Sequence, residues 1–525
     1  MKNMHNYEEA KACLSLKEKV GQLFMPAAFV NDTEEEILRL EKLIREQGVG
    51  GLCFFHSRAS AATNYEGKKK VVYNKNSFDT LKALIARYQK VTKYPLVIAI
   101  DAEWGLAMRI ENTPQYPYAI TLGAIQNDND LIFEVGKNIA QDCKVAGIHW
   151  NLSPVADINN NPNNPVIGYR SFGEDRDSVA EKAIAYVKGT QSVGVLTSVK
   201  HFPGHGDTAT DSHLGLPIIN KSKQELIENE LYPFQKLIDE GVDSLMVGHL
   251  SVPALANGKN TPSSISKDII KGVLRTEMGF DGVVISDALN MHAVSKEYPT
   301  KGELEWLAFD AGNDVLCFAE NTSEGIEKII QNAPKSQIEE SFERLWKLKE
   351  KTINKTDFQA SNTLSGSNEL NKQIARNSIT FLRGSQADIS EFLSNRFIGV
   401  KNSYYIENQF FKKIKEYKNF NTFDFEDNEI KNDENILLAL FPPQVKPTNN
   451  FGFSNAEITS INNLIKTKNV VLYVFGNPYV LNHIKHEKTK AVVLAYQNFK
   501  EFQKVAATHF LGNVEAKGRL PFYIE

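Results

Sequence analysis

The chain is predicted to be an α/β protein, a TIM-type (β/α)8 barrel followed by a smaller α/β sandwich, from three features. Apolar runs of strand length alternate with amphipathic helical stretches, eight such runs precede residue 350, and a polar segment separates them from a second group of buried-strand patterns. The first four runs are QLFMPAAF (22–29), VGGLCFF (49–55), PLVIAI (95–100) and HWNLSPVA (149–156). VLTSVKHF (195–202), SLMVGHL (244–250), GVVISDAL (282–289) and VLCF (315–318) complete the set. Nearly continuous apolar strands fit a parallel sheet covered by helices, and eight of them close it into a barrel.

The intervening segments carry helix signals. NDTEEEILRLEKLIREQG has a capping-box pattern from Thr33 to Glu36, apolar Ile37, Leu40 and Ile44 on one face, and Gly48 as a stop. The longest loops, NPNNPVIGYRSFGED and PGHGDTATDSHLGLP, follow runs four and five, where barrel loops build sites. A barrel domain is therefore assigned to 1–350. KTINKTDFQASNTLSGSNELNK (351–372) reads as a linker, because it is rich in Ser, Thr, Asn and Lys. SITFLRG, FIGV, ILLALF, NVVLYVFGNP and AVVLAY then mark a C-terminal α/β domain over 373–525. No short-period repeat is visible.

With 525 residues, 42% hydrophobic and 24% charged, and a net charge of -4, the chain reads as an ordinary globular protein with no basic surplus for a nucleic-acid partner. Cys13, Cys53, Cys143 and Cys317 are scattered in apolar surroundings without metal or redox spacing, and are expected to be buried thiols in a reducing compartment. No signal-peptide core and no membrane-length apolar run is seen, so a cytoplasmic location without a membrane span is expected.

Chemistry is concentrated where the runs end: Asp101 after LVIAI, Lys200 and His201 after LTSV, His249 after LMVG, Asp287 after GVVIS. Barrel sites form at the C-terminal ends of strands, so these ionisable groups are expected to converge, although each is equally able to bridge barrel and helices. The segment KHFPGHGDTATDSHLGLP holds His201, His205, His213, Asp207 and Asp211, so a metal site is a rival reading. Nothing in the spacing forces the ligands together, and the Pro and Gly residues favour a shaped loop carrying Asp211-Ser212-His213; no metal is assigned. A Schiff base on Lys200 would need a desolvated amine, whereas His201 and nearby carboxylates keep it charged and suited to holding hydroxyl or carbonyl oxygens.

KHFPGHG followed by DSH, the preceding NPNNPVIGYRSFGED, and GVVISDALNM together resemble the bacterial β-N-acetylglucosaminidase branch of glycoside hydrolase family 3. The resemblance continues at IARNSITFL, VVLYVFGNP and AKGRLPF. It implies a retaining, exo-acting hydrolase that releases terminal β-linked N-acetylglucosamine through a covalent glycosyl ester on Asp287. His213, assisted by Asp211, is implied as the acid/base. An imidazolium with a pKa of about 6.5 can protonate the departing oxygen, and the neutral ring can then deprotonate water. Asp101 is implied to accept hydroxyl hydrogen bonds, with Arg170, Lys200 and His201 holding hydroxyls and the N-acetyl side. Arg109 completes the set, and no cofactor is needed. For Arg170 the alternative is an ion pair to Glu174 or Asp175.

The family commonly reads DQEGG followed by an arginine; this chain has DAEWGLAMR, which keeps Asp101, Glu103 and Arg109 but places Trp104 for a glycine and Leu106 for the arginine. Trp104 either stacks on a sugar at the aglycone side or packs into the core. The substrates implied are muropeptides or chitin-type amino-sugar oligosaccharides. Three alternatives stay open: phosphorolysis, because a neutral histidine repels an anionic acceptor less than a carboxylate does; substrate assistance by the acetamido group, although the Asp-Glu pair it would use, Asp433-Glu434, lies in the second domain; and a silent sugar-binding protein.

Overall fold

The computed structural model describes residues 4–58, 72–208, 215–353, 363–402, 408–425, 430 and 434–524. Each of the eight runs supplies a strand. They are β1 (Phe24–Met25 and Ala27–Phe29), β2 (Gly51–Phe55), β3 (Val97–Ile100), β4 (Trp150–Asn151), β5 (Leu196–Thr197 and Val199–Phe202), β6 (Ser244–Val247), β7 (Val283–Ser286) and β8 (Leu316–Cys317). Parallel pairing runs from β1 round to β5 and from β5 to β7; a bridge from Ile285 to Val315 reaches β8, which pairs with Phe24–Met25. The ring therefore closes and leaves no sheet edge. β1 serves two neighbours because Pro26, which lacks an N–H, divides it: its first half faces β8 and its second half β2.

The helix Glu34–Gln47 forms as its sequence signals require. Thr33 and Glu36 make the reciprocal capping box, Gly48 at φ 63° takes the left-handed cap, and Ile37, Leu40 and Ile44 are buried. Cys53, Cys143 and Cys317 are buried, as expected, but Cys13 is exposed. It is the last residue of the short helix Tyr7–Cys13, whose inward face is Tyr7 and Ala10. Among the described residues no helix is long and apolar enough to cross a membrane.

The helix Lys335–Ile353 reaches the N-terminal ends of the first strands through Lys349, which is fully buried. Its ammonium donates to Gln22 Oε1 (2.7 Å) and the Gly50 carbonyl (3.2 Å) and lies over the Trp346 ring. Burial pushes its pKa down to about 7. The unfolded lysine keeps its proton to about pH 10.4, so between those values the unfolded chain binds more protons and stability rises with pH. Relative to Lys349→Met, the wild type is expected to gain up to about 1.4 kcal/mol per pH unit in urea unfolding between about pH 7 and about pH 9.5. An equal slope in both proteins would contradict the assignment.

The chain divides into two compact units, one of Met1–Gln115, Phe133–Ile158 and Ala183–Ser365, the other of Tyr116–Ile132, Asn159–Lys182 and Gly366–Glu525. The second contains a six-stranded sheet of β9 (Thr380–Arg383), β10 (Ile398–Lys401), β11 (Thr422–Asp424), β12 (Asn435–Leu440), β13 (Asn469–Val474) and β14 (Ala491–Leu494). Its order is β9-β14-β13-β12-β10-β11, parallel except for β9 against β14. Five strands lie on the expected runs; β11, a half-buried edge strand of three residues, is too short to leave a periodic signal. Thr121 Oγ1 accepts from Gln497, Tyr479 OH from Asn159, and the Pro521 carbonyl from the Glu174 N–H, which explains why these earlier segments join this unit. In the segment read as a linker, the preceding helix runs to Ile353 and the next begins at Asn368, while 354–362 lie outside the described residues.

Candidate active site

At the end of β3 the chain turns sharply. Gly105, at φ 102°, permits the turn, and buried Leu106 anchors the short helical turn that brings Arg109 back to Asp101. Arg109 Nη2 donates to Asp101 Oδ2 at 2.8 Å, and Lys200 Nζ at the end of β5 donates to Asp101 Oδ1 at 2.7 Å. The same ammonium meets Glu103 Oε1 at 2.8 Å. Burial alone would raise the Asp101 carboxyl, but the charges and hydrogen bonds of Lys200 and Arg109 outweigh it and hold the group well below the usual carboxylate range. Lys200 is thus an ion-paired donor between two carboxylates, the opposite of the isolated amine a Schiff base needs.

A bulge in the pairing of β5 with β6, between Lys200 and Phe202, falls on His201 and re-aims it. Its Nδ1 meets Asp157 Oδ2 at 2.7 Å. Asp157, three residues beyond the cis Ser153-Pro154 bond, is fully buried and also accepts the backbone N–H groups of His201 and His205. Burial pushes this carboxyl up, yet the His201 charge and these hydrogen bonds leave it lowered. His205 is buried with Nδ1 on Thr208 Oγ1 at 2.8 Å. Burial, then the His201 charge, brings its pKa down to about 4, against the opposing pull of Asp157 and Asp287.

Asp287 follows β7 and is half-buried, with its backbone N–H on the Val247 carbonyl and its Oδ1 accepting the Ala288 N–H at 2.7 Å. It acts electrostatically on His205, and together with Asp101 on the Cys317 thiol of β8, which is pushed up by its hydrogen bond to Cys53, by burial and by those charges. The ends of β3, β5, β7 and β8 therefore share one electrostatic neighbourhood. His249 supports it from behind: fully buried, it has Nε2 on the Ala288 carbonyl at 3.0 Å and Nδ1 on Ser264 Oγ at 2.7 Å. Since a carbonyl only accepts, Nε2 carries the proton and the ring braces the residue next to Asp287.

Residues 15–348 match the family described as "Glycosyl hydrolase family 3 N terminal domain". The chain belongs to glycosyl hydrolase family 3. It is 33% identical over 291 residues to "Beta-hexosaminidase A" of Pseudoalteromonas piscicida, covering 53% of this chain and 46% of that one, so the match spans less than half of that relative. With "Beta-hexosaminidase" of Tolumonas auensis the identity is 32% over 305 residues, covering 57% of this chain and 84% of that one. Among solved structures, a family 3 β-N-acetylglucosaminidase from Paenibacillus sp. superposes with a TM-score of 0.77 at 27% identity, covering 98% and 99% of the two chains. Beta-glucoside phosphorylase BglX shares the fold, with a TM-score of 0.81 at 22% identity over 98% of this chain and 95% of that one.

In this family 3 glycoside hydrolase, then, Asp101, Arg109 and Lys200 form one hydrogen-bonded group, His201 follows Lys200 directly, and Asp287 shares their neighbourhood. Asp211 and His213 lie outside the described residues. Arg170, on the short turn Gly168–Arg170, belongs to the second unit, where Nη1 donates to the Val166 carbonyl at 3.3 Å. Trp104 is half-exposed and so is not a core residue, whereas Leu106 is fully buried; the guanidinium on Asp101 comes from Arg109. Three members of the cluster were not assigned site roles from sequence: Glu103, Asp157 and His205. Asp157 follows the run HWNLSPVA directly, as Asp101 follows LVIAI and Asp287 follows GVVIS.

Proposed function

We propose that the protein is a retaining, exo-acting glycoside hydrolase that removes terminal β-linked N-acetylglucosamine from muropeptides or chitin-type oligosaccharides. The observation that carries this reading is that Asp287 and the ion-paired Asp101–Lys200–Glu103 group follow barrel strands and that both aspartates act on the Cys317 thiol, in a chain whose relatives are named β-hexosaminidases. In the proposed reaction the Asp287 carboxylate attacks the anomeric carbon while His213, assisted by Asp211, protonates the departing oxygen; the glycosyl ester then yields to a water that His213 deprotonates. Asp101 is an acceptor for sugar hydroxyls, Arg109 and Lys200 supply donors, and His201 holds hydroxyls and the N-acetyl side.

Muropeptide fragments and chitin oligosaccharides ending in β-linked N-acetylglucosamine, incubated separately with the protein in the presence of inorganic phosphate, test the reading. Free N-acetylglucosamine is the expected product from at least one class. Sugar 1-phosphate as the main product would replace hydrolysis by phosphorolysis, and no cleavage of either class would leave the proposed specificity without support.

A further inference from the structure

Asp157 is fully buried and has no part in the proposed reaction, yet its two oxygens divide their partners in an informative way. Oδ1 accepts the backbone N–H groups of His201 (3.1 Å) and His205 (2.8 Å), whereas Oδ2 faces His201 Nδ1 at 2.7 Å. The Oδ1 contacts shape the bulged end of β5 next to the Val155–Lys200 bridge. The Oδ2 contact concerns the ring alone. A carboxylate can only accept, so Nδ1 carries a proton in either charge state of the imidazole, and any contact His201 makes with a sugar is through Nε2.

We propose that Asp157 is a positioning residue for substrate binding: it holds His201 with its proton on Nδ1 and so presents Nε2 to the polar groups of the sugar, the N-acetyl side included. A neutral ring held this way offers an acceptor to an amide N–H or a hydroxyl. The opposite tautomer offers only a donor at Nε2, which an amide N–H cannot accept. The inference rests on the proposed role of His201 as a sugar contact.

Asp157→Asn separates the two tasks of the carboxylate. The amide keeps an oxygen for the two backbone N–H groups but turns its NH2 toward His201 Nδ1, which must then accept, so that the ring proton moves to Nε2. The imidazole 15N spectrum of the full-length, 15N-histidine-labelled protein, with His201 assigned through His201→Ala, is expected to show this switch. With an aryl β-N-acetylglucosaminide, kcat/KM is expected to fall at least about tenfold in Asp157→Asn at a near-native unfolding midpoint, and by less than about twofold when the same change is made in the His201→Ala background. An unchanged tautomer, or equal losses in the two backgrounds, overturns the proposal. Should Asp157→Asn fail to fold, a wild-type His201 protonated on Nε2 alone overturns it as well. A wild type that leaves the aryl substrate intact defeats the functional reading instead, and the tautomer measurement still decides whether Asp157 holds the ring.

Discussion

Asp287→Ala is expected to fold and to lose at least about a hundredfold in kcat on an aryl β-N-acetylglucosaminide. Folding should survive because the side chain is half-buried and β7 is held by its pairing with β6 and by the Asp287 N–H on the Val247 carbonyl. The loss should therefore be chemical. A slow 2-fluoro sugar substrate should leave a sugar ester on the Asp287 peptide of the wild type, read by mass spectrometry, and none on the variant. Comparable rates for the two proteins, or an ester on another carboxylate, would remove Asp287 from the role of nucleophile.

Lys200→Met should cost both binding and stability. Lys200 side chain is 3% exposed and sits between Asp101 (14%) and Glu103 (7%), so its removal leaves two largely buried carboxylates with Arg109 as the remaining cation on Asp101. Breaking a buried pair in this way typically costs about 3–5 kcal/mol at neutral pH. The pH dependence identifies the cause. In the wild type the folded-state carboxyl of Asp101 is held below its unfolded value, so its stabilising contribution is complete above about pH 4 and fades as the pH falls through the folded value. In the variant that hold is weakened and the carboxyls take up protons at higher pH. The stability gap between wild type and variant should therefore narrow as unfolding is measured at progressively more acid pH; a gap that does not change with pH would assign the loss to packing instead.

Much of this was legible along the chain. Runs of apolar residues report burial locally, and Thr33, Glu36 and Gly48 report the ends of a helix within one turn of themselves, so the eight barrel strands and the helix Glu34–Gln47 could be placed before any contact was known. β11 was missed because three half-buried residues carry no period. Strand-end position nominated Asp101 and Lys200, which the fold pairs, but it nominated His249 on equal terms, and its bonds to Ser264 and the Ala288 carbonyl make it a brace.

What the amino-acid order determined by itself is the barrel, its helices, and the list of ionisable groups delivered to the strand ends, since each depends on neighbours a few residues away. Only the tertiary structure decided how those groups are paired: Lys200 with Asp101, 99 residues apart, and with Glu103, His201 with Asp157, and the segments Tyr116–Ile132 and Asn159–Lys182 with the second unit rather than the first. The partner of a buried charge is set by which strands lie side by side and by how much water is excluded between them, and neither quantity is a property of any local stretch of sequence.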